Sequence, residues 1–94
     1  MIECLVKSGD EETVVYKDHL EKAIRPSVPH KLGRGKWTID IGSDHFVDFS
    51  PELSGLEVSF DERIELEIAE RIISDVAGNL RTLTGVSFHV VWLS

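Results

Sequence analysis

The chain has one cysteine, three prolines and no apolar run approaching the ~20 residues that a membrane-spanning helix takes. With a single thiol, an intramolecular disulfide framework and the zinc motifs built on paired thiolates are both excluded. Cys4 sits in an apolar alternation without cationic neighbours that would activate it, so it reads as a small buried side chain. Basic residues are scarce: ten Lys and Arg stand against 17 Asp and Glu, a net charge of −7. That deficit argues against a general nucleic-acid binder, which neutralises phosphates with Lys and Arg. No secretory signal pattern opens the chain, and the expected compartment is the cytoplasm. Linkers, repeats and low-complexity tracts are also missing, so residues 1–94 are expected to form one domain.

Hydrophobic periodicity supplies the elements. Ile2, Cys4 and Val6 alternate with Glu3, Leu5 and Lys7, as in a half-buried strand. Residues 11–25 allow two readings. Thr13 to Tyr16 has strand character, whereas Tyr16, Leu20, Ala23 and Ile24 fall at helical spacing. That spacing predicts a short helix centred on 18–25, ended by Pro26. Residues 26–36, with two prolines and two glycines, read as an irregular loop. Trp37, Ile39 and Ile41, then Val47 and Phe49, mark a β-hairpin across Gly42-Ser43-Asp44. For its apolar residues to share a face, the loop must hold an odd number of residues, which sets Ile39 against Val47 and Trp37 against Phe49.

Pro51 is read as closing that strand, and Leu56, Val58 and Phe60 begin another. A long helix is expected over residues 61–83, with Ala69, Ile72, Ile73, Val76, Ala77, Leu80 and Leu83 as its apolar stripe. Asp61, or a Ser59–Glu62 capping box, would cap its start and Gly85 its end. Gly78 weakens it, and Ile64, Leu66 and Ile68 could instead extend the preceding strand. Residues 86–93 read as a last strand, apolar on both sides and therefore placed in the sheet interior. The expected fold class is α+β. A four- to five-stranded, mainly antiparallel sheet would carry a short N-terminal helix and the long helix on one face, in the order β-α-β-β-β-α-β. Leu5, Phe46, Val91 and Leu93 would then lie on the other face, a surface suited to homodimerisation or a partner unless a loop covers it.

Charge is unevenly laid out. Residues 25–36 hold Arg25, Lys31, Arg34 and Lys36 and no acid, a +4 segment within a −11 body. Acids concentrate at 52–70. The candidate partner-binding set is Asp40, Asp48, Glu57, Glu62, Glu65, Glu67 and Glu70, an acidic surface suited to steering a basic protein. The loop glycines with Arg34 and Lys36 are an alternative anion-binding site, although the spacing of a phosphate loop is missing.

No pattern of nucleophile and base is present. His19, His30, His45 and His89 lack metal-ligand spacing, so no metal and no cofactor are expected. Asp40 and Asp48, as diagonal neighbours across the hairpin, are paired carboxylates without an evident apolar pocket to tune them. The expectation is a non-enzymatic protein-binding module, with no membrane association and nucleic acid disfavoured. Size, acidity and single-domain build are similar in profile to small bacterial immunity or antitoxin proteins, which cover a basic toxin. That similarity carries no signature residues. A small enzyme or nucleotide-binding domain using the basic loop, and a homo-oligomeric structural protein, are the alternatives.

Overall fold

The computed structural model describes residues 2–10, 17–33, 35, 37–52 and 55–93. Six strands and two helices follow one another as β1 (Ile2–Ser8), α1 (Lys17–Ala23), β2 (Lys31–Leu32), β3 (Thr38–Asp40), β4 (Phe46–Glu52), β5 (Gly55–Phe60), α2 (Leu66–Thr84) and β6 (Phe88–Trp92). The strands make one antiparallel sheet in the order β2-β3-β4-β5-β1-β6. The α+β class and the helix on one face are as the sequence predicts; the strand count is six because Lys31 and Leu32, inside the expected loop, pair with β3.

Strand alternation sorts the side chains. Ile39, Val47, Phe60 and Ile2 form one cross-strand row, and Phe49, Val58 and Cys4 the next. These rows, with Val6 and Leu56, face the helices and are buried except for the half-buried Ile2. Ala69, Ile72, Ile73, Val76 and Leu80 of α2 and Leu20, Ala23 and Ile24 at α1 close the core over them. Fully burying one such aliphatic side chain contributes about 1.5–3 kcal/mol, so this single layer carries the fold.

The hairpin has the expected register, Ile39 opposite Val47, and the Phe49 N–H donates to the Trp37 carbonyl at 2.8 Å. Its three-residue loop holds Ser43 and Asp44 at φ 51° and 62°, the left-handed geometry that matches strand twist. The helix reading of 18–25 matches α1, whereas the strand character at 13–16 lies outside the described residues.

Three expectations need correction. Pro51 does not end its strand: β4 runs to Glu52. By antiparallel alternation the Pro51 nitrogen faces the β3 side, beyond the start of β3, so the missing N–H costs no ladder bond. The long helix begins at Leu66, not at 61. Asp61 instead closes a turn, accepting the Arg63 N–H on its side chain at 2.9 Å and the Ile64 N–H on its carbonyl at 3.0 Å. That turn buries Ile64, and Glu65 occupies the N-cap position without a side-chain cap bond. At the other end Gly85 stops α2 as expected, at φ 76° with its N–H on the Arg81 carbonyl. Finally, β6 is an edge strand, not an interior one, although it is apolar on both sides.

The two helices are tied by polar clamps. Asn79 on α2 donates to the Ala23 carbonyl at 3.1 Å, satisfying an end of α1, and Asp75 binds Ser27 just beyond it. No helix among the described residues is long and apolar enough to cross a membrane.

Candidate functional site

With both helices on one side, the opposite sheet face carries no element of secondary structure among the described residues. Parity assigns its residues: Glu3, Leu5 and Lys7 on β1, Glu57 and Ser59 on β5, Phe46, Asp48, Ser50 and Glu52 on β4. Lys31 on β2, Thr38 and Asp40 on β3, and His89 and Val91 on β6, with Leu93 beyond it, complete the face. Glu3 stands level with Ser59 and Asp48, and Leu5 with Glu57, Ser50 and Val91. Leu5 and Phe46 are half-buried, and Val91 and Leu93 are 41% and 50% exposed. The face thus joins an apolar strip at β1 and β6 to a field of carboxylates around Asp48, Glu52 and Glu57.

The predicted acidic residues are divided by the fold. Asp48 and Glu57 lie on this open face. Glu67 and Glu70 are exposed on α2, which covers the opposite side of the sheet. Glu62 and Glu65 sit exposed at the turn between the two surfaces. The seven acids therefore form two groups and a connecting rim, not one patch. A contiguous stretch of sequence, 52–70, crosses from one layer to the other, and that crossing separates its charges.

Asp40 differs from the rest. It is 3% exposed, accepts the Gly42 N–H at 2.8 Å and lies 3.8 Å from the Lys31 ammonium. These contacts hold the hairpin loop and the β2 edge, a structural task. Asp48 is exposed and accepts the Thr38 hydroxyl at 2.7 Å. Phe46 lies between the two carboxylates, lining with Asp40 one cavity of about 310 Å³ and with Asp48 another of about 270 Å³. Among the described residues the ion pairs are Lys31 with Asp40 and Arg63 with Asp61, so neither takes a carboxylate of Glu3, Asp48, Glu52 or Glu57.

Arg34 and Lys36, the alternative anion-binding pair, lie outside the described residues. The described neighbours Lys31, Leu32 and Gly33 share their cavity with Asp40 and Asp44. An anion in that cavity would meet two carboxylates. Among the described residues no group of three or more His, Cys, Asp or Glu is arranged to hold a metal ion. The Cys4 thiol is buried in the core, and burial pushes it up to about 11, which keeps it protonated and inert at neutral pH.

Two acids of the open face, Glu3 and Glu52, are not in the predicted set. Their signal was in the sequence: each is an even number of residues from an outward-facing strand neighbour, Leu5 for Glu3 and Asp48 for Glu52. Charge density along the chain pointed to residues 52–70, which include Glu52 but not Glu3. Comparison of the chain with protein-family models, with curated proteins and with solved structures finds no match in any of the three.

Proposed function

We propose that this protein is a non-enzymatic binding module whose open sheet face receives a basic protein. The observation that carries the reading is the composition of that face: exposed or half-buried Leu5, Val91 and Leu93 beside Glu3, Asp48, Glu52 and Glu57, with no ion pair to those four among the described residues. Apolar anchors supply burial at the centre of an interface, and a surround in which carboxylates outnumber the cations Lys7 and Lys31 accelerates encounter with a basic partner and orients it. A solvated sheet face needs no apolar strip.

The most concrete form of this module is an immunity-type protein that covers a basic toxin. The test is a growth-rescue assay in which the chain is co-expressed with the products of its neighbouring open reading frames. Rescue from a basic, toxic product by the natural chain, lost in a D48K/E57K variant and kept in an E67K/E70K variant, supports the sheet face as the binding surface. Rescue that survives D48K/E57K overturns it. Binding should also weaken steeply between about 50 and about 300 mM salt, because the screening length of exposed charges falls from ~14 Å to ~6 Å over that range.

A further inference from the structure

β6 closes the sheet at one edge, and the ladder fixes which of its backbone groups have no strand partner among the described residues. The Leu93 N–H donates to the Glu3 carbonyl at 2.9 Å, and the Gly9 N–H to the Ser87 carbonyl at 2.8 Å. Residues 87, 89, 91 and 93 therefore bond to β1. By antiparallel alternation Phe88, Val90 and Trp92 turn their N–H and C=O groups to the open side.

The two edges of the sheet are built differently. At the far edge, β2 is two residues long, carries Lys31 and follows Pro29, all features that discourage strand pairing. β6 pairs one-to-one with β1 over five residues without a bulge. Residues 86–93 contain no Asp, Glu, Lys or Arg, in a chain of net charge −7. The edge also presents large apolar side chains, with Val91 at 41%, Trp92 at 38% and Leu93 at 50% exposure.

We propose that β6 is a self-association edge, occupied by β6 of a second copy of this chain in an antiparallel, two-fold arrangement. One register uses every outward group. Val90 faces Val90 of the second copy, and Phe88 and Trp92 face each other twice, so three hydrogen-bonded residue pairs form around the axis. On the helix side this sets Phe88 against Trp92 across the junction, extending the existing Phe60–Trp92 ring contact of 6.3 Å into an aromatic row. On the open side it sets His89 opposite Val91. The charge pattern selects a second copy. Two chains of −7 repel over most of their surfaces, and this charge-free strand is a place where they can meet without opposed carboxylates. The dimer joins two six-stranded sheets and leaves the acidic part of each open face, around Asp48 and Glu57, away from the axis.

Sedimentation equilibrium of the pure natural chain tests this at up to about 100 μM, in the range where small interfaces associate. The expected species has twice the 10.6 kDa chain mass. His89 and Val91 are exposed, so charges placed there report register with the fold retained, which far-ultraviolet circular dichroism checks. H89E/V91E opposes carboxylates across the axis and should weaken the dimer at least about tenfold, whereas H89K/V91E opposes unlike charges and should restore it. A natural chain that stays monomeric overturns the proposal. So does a dimer indifferent to both variants, or one dispersed by L5K at the sheet face and not by H89E/V91E. Pairing of β6 with a strand of a different protein, in a chain that is itself monomeric, counts against the second copy as well.

Discussion

One carboxylate oxygen of Asp75, on α2, accepts both the backbone N–H of Ser27 at 2.8 Å and its hydroxyl at 2.6 Å. The two residues are 48 positions apart, and their contact pins the chain leaving α1 to the middle of α2. Both bonds favour the ionised carboxyl, and they hold Asp75 below its ordinary range. Stability linked to this group is present above the unfolded carboxylate value of about 3.9 and is lost as pH falls through the lower folded value. Asp75→Ala should cost about 1 kcal/mol near neutral pH, a modest figure because the site is exposed to solvent. Urea denaturation at neutral and at acidic pH checks both points: the cost should shrink on the acid side.

Two glycine substitutions should have opposite signs. A Cβ on Gly55 would overlap the Val6 carbonyl on the neighbouring strand, so Gly55→Ala must push β5 and β1 apart and should cost about 1–3 kcal/mol. Gly78 lies on the exposed side of α2, where a Cβ meets nothing within 4 Å. Gly78→Ala should therefore stabilise the protein by about 0.5–1 kcal/mol through helix propensity. Thermal melts of the two variants beside the natural chain decide both.

Cys4 should be invisible to thiol reagents in the folded protein. Its side chain is fully buried, and with the thiol pushed up to about 11 the reactive thiolate is scarce at neutral pH. Ellman's reagent should label one thiol per chain in denaturant and label the native protein only at the rate of global unfolding. Fast labelling of the native protein would refute this packing.

Asp40 and Asp48 should separate stability from binding. Asp40→Ala removes the acceptor of the Gly42 N–H and the partner of Lys31, and should cost about 1–2 kcal/mol of stability. Asp48→Ala removes an exposed bond to Thr38, should stay within about 0.5 kcal/mol, and should instead reduce capture of a basic partner. Chemical denaturation of both variants, with the rescue assay above, checks the division.

Much of the fold was legible because it is written in short-range patterns. The alternation of Trp37, Ile39, Val47 and Phe49 required an odd loop, and the register follows it. Gly85 ended α2 because a left-handed residue is cheap only there. The start of α2 was misplaced because Asp61 offers its carboxylate equally well to a helix N-terminus or to an Arg63 two residues on, and Arg63 also reaches the Asp44 carbonyl at 3.0 Å. That last bond joins residues 19 apart, beyond any local pattern.

The amino-acid sequence by itself determined which residues of each element turn inward, since strand and helix periods are properties of the local backbone. The net charge and the absence of paired thiolates likewise needed no fold. Only the tertiary structure decided where each element sits. It placed the doubly apolar β6 at an edge, and it split the acids of 52–70 between the sheet face and the helix. Strand order is settled by pairings between residues as distant as Leu5 and Val91, whose closure competes with chain entropy over the whole domain. A periodic pattern records that a side chain is apolar; the neighbours that finally cover it, or leave it open, are chosen by that global competition.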